Sequence, residues 1–136
     1  MEVRIKNSML PSSISLLYNL KLKGKQSRHR SRFVKMLSER LQEVSDQERE
    51  LLIQHCNLDE NGEPKTIENG TKWDVKDLKA FAKDKQELYD EEQVFGSVDH
   101  QLTLKVMKQI LTECDVELSG EEAYAYMYLC DAFEVE

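Results

Sequence analysis

Residues 27–44, with the sequence SRHRSRFVKMLSERLQEV, decide the fold class of this chain. Phe33, Leu37, Leu41 and Val44 follow one another at intervals of four, four and three residues, which places them along one side of an α-helix. Neither proline nor glycine interrupts the stretch. The pattern therefore predicts an amphipathic helix whose apolar stripe faces a core.

Helix boundaries on either side of this stretch are predicted from capping residues. Gly24 is expected to stop a short earlier helix that begins after Pro11, because glycine enters the left-handed conformation without a steric penalty. Ser45 and Glu48 have the spacing of a capping box, which predicts a break and a new helix that continues to Cys56.

Three further helices are predicted in the second half of the chain. Asp74 and Asp99 are expected to cap the first two, and Ser119 with Glu122 forms a capping box for the last. The stripe expected to face the core on that last helix consists of Ala123, Met127, Cys130 and Phe133.

Short β elements complete the predicted fold. Residues 1–6 alternate apolar and charged side chains, as a half-buried strand does, and residues 94–96 are a candidate partner strand. Residues 64–75 are predicted to form a β-hairpin around the Asn69-Gly70 turn. The fold class expected is mainly α with a small β element (α+β), with five or six helices around one core. Residues 1–136 are taken as a single domain.

The charge is distributed unevenly along the chain. It carries 19 Lys and Arg against 26 Asp and Glu, a net charge of −7. Residues 1–40 carry +8, whereas residues 41–136 carry −15. Either the basic N-terminal part and the acidic remainder neutralise each other on folding, or each meets a partner of opposite sign.

Several classes of protein are not indicated. No apolar run approaches the ~18 residues of a membrane span. The three cysteines form no CxxC pair, which favours a reducing cytoplasm. No zinc-ligand spacing, nucleophile elbow or glycine-rich phosphate loop is present. We therefore expect no catalytic residue, no metal and no cofactor, and a protein that is not an enzyme.

Two charged surfaces are candidates for binding a partner. The acidic one is expected to consist of Asp84, Glu87, Asp90, Glu91, Glu92, Glu121 and Glu122. The basic one is expected to consist of Lys21, Lys23, Lys25, Arg28, Arg30, Arg32 and Lys35. Nucleic-acid binding by the basic residues is the weaker interpretation, because cations at a helix N-terminus oppose its dipole and no exposed aromatic residue is interleaved with them.

Aromatic residues form a third candidate group. Trp73 lies on the predicted hairpin, and Tyr124 and Tyr128 share a face of the last helix, with Tyr126 between them. Tyrosine and tryptophan are enriched at interfaces, but they also cover cores. The sequence leaves these two roles open.

Three segments resemble a family of small uncharacterised proteins from tailed phages and prophages of Gram-positive bacteria. They are NLKLKGKQSRHRSRFVKML at residues 19–37, LDENGEPK at residues 58–65 and ELSGEEAYAYMYLCDAFE at residues 117–134. The resemblance implies a phage protein made in the cytoplasm of a bacterial host, and it brings no activity or site residue with it.

The function expected is protein–protein binding. The first hypothesis is inhibition or modulation of a host protein, such as an antiphage nuclease, through the acidic surface. The alternatives are an accessory role in virion or tail assembly, with a homo-oligomer possible, and nucleic-acid binding through residues 21–32.

Overall fold

Helices make up most of the structure, a computed structural model that describes every residue from Met1 to Glu136. The elements in chain order are β1 (Val3–Lys6), α1 (Leu10–Asn19), α2 (Gly24–His55), β2 (Thr66–Ile67), β3 (Lys72–Trp73), α3 (Leu78–Asp90), β4 (Glu92–Phe95), α4 (Gln101–Glu113) and α5 (Gly120–Ala132). The predicted class, mainly α with a small β element, is confirmed. None of the helices is both long and apolar enough to span a membrane.

The chain forms two compact units. Unit 1 contains Met1–Leu41 and Glu92–Glu136, and unit 2 contains Gln42–Glu91. Helix α2 begins in unit 1 and ends in unit 2. The sequence-based expectation of a single domain stays a prediction.

Unit 1 is built on the two-stranded antiparallel sheet of β1 and β4, so the pairing expected from the sequence is confirmed. Val3 lies opposite Phe95 and Ile5 lies opposite Gln93. Val3 and Ile5 are fully buried while Arg4 is exposed, as the alternation of apolar and charged residues predicts.

The core of unit 1 centres on Phe33 of α2. Its ring lies edge-on to the rings of Phe95 and Phe133, with centroids 5.6 Å apart in both pairs. Such edge-to-face pairs stabilise a core beyond the burial of their area. The other large side chains buried around them come from β1, α1, α2, α4 and α5: Ile5, Leu10, Leu17, Leu37, Leu104, Met107, Leu111 and Leu129.

Unit 2 consists of the second part of α2, the hairpin β2–β3 and α3. In the hairpin, Thr66 lies opposite Trp73. Its turn contains Asn69 and Gly70, with φ angles of 57° and 84°. Asparagine and glycine tolerate this left-handed conformation best, so the predicted hairpin and its turn are confirmed.

The predicted break at Ser45 is wrong, because α2 runs without interruption from Gly24 to His55. Val44 is fully buried just before the expected boundary, and Leu51 and Leu52 are half-buried after it, so the apolar side of the helix continues past Ser45. A serine inside a helix costs only a few tenths of a kcal/mol relative to alanine, which the burial of neighbouring apolar residues outweighs.

Other helix boundaries also differ from expectation. Gly24 begins α2 and does not end α1, which stops at Asn19. Helix α3 is capped by Asp77, whose carboxylate accepts hydrogen bonds from the backbone N–H groups of Lys79 and Ala80. Asp74, the predicted cap, instead accepts a hydrogen bond from the side chain of Asn57.

The cap predicted for α4 is wrong, whereas the residue predicted to cap α5 lies at the expected position. Asp99 lies in a 3-10 turn that precedes α4, so it does not cap that helix. Ser119 does occupy the position before α5, although its side chain makes no capping hydrogen bond.

The core-facing side of α5 agrees with the predicted one at Phe133, but Ala125 and Leu129 take the places expected for Ala123, Met127 and Cys130. Ala125, Leu129 and Phe133 are buried at intervals of four residues, whereas Met127 is 53% exposed. Several faces of this helix carry apolar residues, so the partner elements of unit 1 decide which face is covered.

Candidate functional site

The two units carry very different net charges. Unit 1 contains twelve Lys and Arg and twelve Asp and Glu, so its net charge is zero. Unit 2 contains seven basic and fourteen acidic residues, so it holds the whole net charge of −7. The basic N-terminal part therefore belongs to a unit that is neutral overall, and the uncompensated negative charge belongs to unit 2.

Within unit 1, part of the predicted basic patch forms a ridge. Lys25, Arg28, Arg32 and Lys35 follow one another at intervals of three, four and three residues along α2, and we call them the basic ridge. All four are exposed and none forms an ion pair. Lys21 and Lys23 are also exposed, in the segment before α2.

Arg30 is not part of this ridge. Its guanidinium donates hydrogen bonds to the main-chain carbonyl oxygens of Leu17 at 2.9 Å and of Leu20 at 2.5 Å. The last carbonyl groups of a helix have no partner within it, so Arg30 satisfies groups at the C-terminal end of α1. This arginine is a structural residue.

His29 is likewise turned into unit 1. It is 2% exposed, and its Nδ1 shares a hydrogen bond of 2.9 Å with the hydroxyl of Thr103. Burial lowers the pKa of His29, and the positive charges of Arg32, Arg28 and Lys25 lower it further. The neutral form of the imidazole is therefore favoured over the charged form.

An exposed tyrosine lies beside the basic residues, contrary to the sequence-based expectation. Tyr18 of α1 is 72% exposed and lines a groove of about 490 Å³ with Arg30, Ser31, Val34 and Lys35. Tyr18 precedes the basic tract and is 12 residues before Arg30 and 17 before Lys35, so a search for aromatic residues interleaved with the basic ones misses it.

The predicted acidic surface is divided between the units. Asp84, Glu87, Asp90 and Glu91 lie in unit 2 at or near α3. Glu92, Glu121 and Glu122 lie in unit 1, the first on β4 and the other two in the first turn of α5. A helix N-terminus stabilises negative charge, so Glu121 and Glu122 have a local structural role there.

Three of these acidic residues line one groove between α2 and α3, which we call the acidic groove. Its volume is about 270 Å³. Four residues on each side of the groove have the spacing i, i+3, i+4 and i+7, so the groove follows one face of each helix. The residues are Gln47, Glu50, Leu51 and Gln54 from α2, with Asp84, Glu87 and Leu88 from α3 and Glu91 directly after it.

The charges in the acidic groove are mostly unpaired. Glu50, Glu87 and Glu91 take part in no ion pair, and the side chain of Asp84 accepts a 2.7 Å hydrogen bond from Nε2 of His55. Glu50 was missing from the predicted surface because it is 34 residues away from Asp84 in sequence. The signal in the sequence is the spacing of Gln47, Glu50 and Gln54, which places Glu50 on one polar face of the helix.

Glu48 joins the same two helices of unit 2. Its carboxylate accepts a 2.5 Å hydrogen bond from the hydroxyl of Tyr89 and lies 3.1 Å from Nζ of Lys85. Burial on its own would raise the pKa of Glu48, but the contacts with Tyr89 and Lys85 outweigh it and lower that pKa. Burial, together with the hydrogen bond to Glu48, raises the pKa of Tyr89 to about 12.

The candidate aromatic contacts have separate environments. The hydroxyl of Tyr128 accepts a 2.8 Å hydrogen bond from the backbone N–H of Lys6, so it joins α5 to β1. Tyr124 is 57% exposed in unit 1, and Trp73 is 45% exposed in unit 2. Tyr124 and Trp73 are thus the predicted aromatic residues that remain available to a partner.

No group of three or more His, Cys, Asp or Glu side chains lies in an arrangement that could hold a metal ion. Cys56, Cys114 and Cys130 are free thiols. Comparison of the chain with protein-family models, with curated proteins and with solved structures finds no match.

Proposed function

We propose that this protein acts without catalysis, by binding a basic surface of another protein in the acidic groove of unit 2. The observation that carries the proposal is the convergence of Glu50, Asp84, Glu87 and Glu91 on one groove between two helices. The carboxylates of Glu50, Glu87 and Glu91 form no ion pair, and on a unit with a net charge of −7 they attract lysine and arginine side chains and accelerate their association.

The apolar residues of the groove suit the same type of ligand. Leu51 and Leu88 line the groove together with the carboxylates. Lysine and arginine have aliphatic stems that pack on apolar side chains while their charged ends reach acidic groups. A groove of mixed acidic and leucine character is therefore suited to basic side chains presented by a protein surface.

The partner class we propose is a nucleic-acid-binding protein of a bacterial host, such as an antiphage nuclease. Proteins of this class present Lys and Arg side chains arranged to contact phosphates. An acidic surface competes for those side chains, which would inhibit the partner by occupying its nucleic-acid site. The resemblance of the sequence to phage proteins supports a host protein as the target.

Affinity capture from lysate of a Gram-positive bacterium tests the proposal. We expect the wild-type protein to retain a nucleic-acid-binding protein, and added DNA to displace it. The variant Glu87→Lys/Glu91→Lys should reduce retention at least tenfold, because it places two positive charges in the groove.

A matched control separates the groove from net charge. Asp115→Lys/Glu117→Lys makes the same change in charge at exposed positions of unit 1 and should retain the partner as the wild type does. Equal retention by the groove variant and the wild type would contradict the proposal, and so would a partner that DNA does not displace.

A further inference from the structure

The exposed face of α2 carries two blocks of opposite charge. Starting at Lys25, eight charged residues recur at intervals of three or four along this one continuous helix. The first four are the basic ridge and the next four are acidic: Glu39, Glu43, Asp46 and Glu50. Intervals of three and four keep residues on the same side of an α-helix, so the eight form a charged stripe.

The stripe is not neutralised within the chain. All eight side chains are exposed, and no ion pair of the structure includes any of them. The order of the charges is also unfavourable for the helix itself. The bases lie toward its N-terminus and the acids toward its C-terminus, whereas the helix dipole stabilises anions near the N-terminus and cations near the C-terminus. A partner with the reverse order of charges would pair the exposed side chains and would offset their unfavourable interaction with the helix dipole.

Such a partner is the same helix in the antiparallel direction. The stripe is antisymmetric about a point between residues 37 and 38, so each base has an acid at the matching distance on the other side. The four matched pairs are Lys25 with Glu50, Arg28 with Asp46, Arg32 with Glu43, and Lys35 with Glu39. The midpoint of every pair falls at residue 37 or between residues 37 and 38, so all four pairs can form about one two-fold axis.

Small residues border the stripe on one side. Ser31, Ser38 and Ser45 recur every seven residues, and all three are exposed. Small side chains let two helices approach closely, which brings long charged side chains on the neighbouring line within reach of each other. The serines are also arranged symmetrically, with Ser38 close to the centre of the stripe.

We propose that the charged stripe of α2 binds the stripe of a second copy of this chain, antiparallel and about a two-fold axis near residues 37 and 38. In a two-fold interface the same surface is used by both subunits, so it must be complementary to itself. The order of four bases followed by four acids meets that requirement, and no partner of single-sign charge would match both halves.

The dimer is expected to be weak and sensitive to salt. Exposed ion pairs contribute little individually, and screening reduces them further. Analytical ultracentrifugation of the full chain should show a dimer at ~50 mM NaCl and at least a tenfold larger dissociation constant at ~500 mM NaCl. A monomer at every protein concentration in low salt would overturn the proposal.

Charge reversal gives a sharper test, because the two halves of the stripe can be changed separately. Arg28→Glu/Arg32→Glu makes the stripe acidic, and Glu43→Lys/Asp46→Lys makes it more basic. Each variant alone should lose the dimer, and an equimolar mixture of the two should form a heterodimer. The four changes combined in one chain should restore a homodimer, because they restore antisymmetry.

The control Lys79→Glu/Lys83→Glu makes the same change in net charge as Arg28→Glu/Arg32→Glu, but at exposed positions of α3, and should leave dimerisation unchanged. No substituted stripe residue lines the acidic groove, so partner capture by the groove and self-association can fail independently. If the mixed variants stay monomeric while Arg28→Glu/Arg32→Glu loses retention on single-stranded DNA, the basic ridge is a nucleic-acid site and the dimer proposal is wrong.

Discussion

The guanidinium of Arg30 lies 2.9 Å from the main-chain carbonyl oxygen of Leu17 and closes the C-terminal end of α1. In the sequence, Arg30 stands in the middle of a basic tract and resembles its neighbours. Its contacts assign it to the folding of unit 1, whereas the flanking Arg28 and Arg32 face outward.

Replacing Arg30 should therefore cost more stability than replacing either neighbour. Arg30→Ala removes the guanidinium that the carbonyl oxygens of Leu17 and Leu20 share and leaves the Leu20 carbonyl without its side-chain donor, for which we expect a loss of about 1–3 kcal/mol. Arg28→Ala and Arg32→Ala should each stay within about 0.5 kcal/mol of the wild type. Urea unfolding followed by circular dichroism measures the difference, and equal midpoints for the three variants would contradict it.

His29 should make stability fall in mildly acidic solution. Its pKa is lowered in the folded protein from 6.5, so below that pH the unfolded chain binds a proton that the folded chain resists. The neutral His29 therefore makes its full contribution to the free energy of unfolding above about pH 6.5, and this contribution declines as the pH falls below that value.

An asparagine substitution isolates this effect. His29→Asn keeps a polar atom near Thr103 but does not titrate, so the difference in unfolding free energy between wild type and variant should shrink from pH 7 toward pH 5. A constant difference over this range would contradict the assignment. An NMR titration of the His29 ring should show its midpoint below 6.5.

Tyr89 should ionise only at high pH, and its pKa should depend on Glu48. The pKa of Tyr89 is raised to about 12, first by burial and then by the hydrogen bond to Glu48. Glu48→Gln removes the negative charge and should lower the pKa of Tyr89 toward 10, although burial keeps it above that value.

Ultraviolet absorbance of the phenolate follows this titration. The signal is assigned to Tyr89 by its loss in Tyr89→Phe, which should also destabilise the protein by about 1–2 kcal/mol because Glu48 loses a hydrogen bond. A titration of Tyr89 that is the same in Glu48→Gln and in the wild type would show that Glu48 has no influence.

The two aspartates before α3 should differ in their effect on stability. Asp77→Ala removes the N-cap of α3 and should cost about 1 kcal/mol. Asp74→Ala should cost less, because Asp74 accepts an exposed side-chain hydrogen bond from Asn57. Urea unfolding of both variants provides the comparison, and a larger loss for Asp74→Ala would support the cap predicted from sequence.

Ser45→Ala tests the continuity of α2. At an exposed position inside a helix, alanine is the better helix former, so stability should rise by a few tenths of a kcal/mol. A serine that caps a helix would instead lose about 1 kcal/mol on the same substitution. The sign of the change in thermal midpoint distinguishes these two cases.

Much of the fold could be predicted from local patterns. The alternation in residues 1–6 and the Asn69-Gly70 turn specify a strand and a hairpin, because side-chain direction and left-handed φ angles are local properties. The break predicted at Ser45 failed because the helix is continuous there and burial of its apolar residues outweighs the capping preference of serine. The cap predicted at Asp74 failed because Asp77, three residues further on, has an equally suitable side chain and lies at the start of the helix.

For the candidate surfaces, the sequence supplied the charges but not their grouping. Glu50 joins Asp84, Glu87 and Glu91 only because α2 and α3 pack side by side in unit 2. Tyr18 reaches the basic residues only because α1 lies near α2 in unit 1. Contacts between residues distant in sequence leave no local pattern.

By itself, the sequence determined the helical period of residues 27–44, the order of charges along it and the mainly helical class, since these depend on neighbours within a few residues. Only the tertiary structure decided which charged side chains remain exposed and available to bind a partner. Arg30 and His29 are held within unit 1, and the −15 of residues 41–136 is divided almost equally between the units. The physical reason is that burial and pairing depend on the three-dimensional neighbours of each side chain.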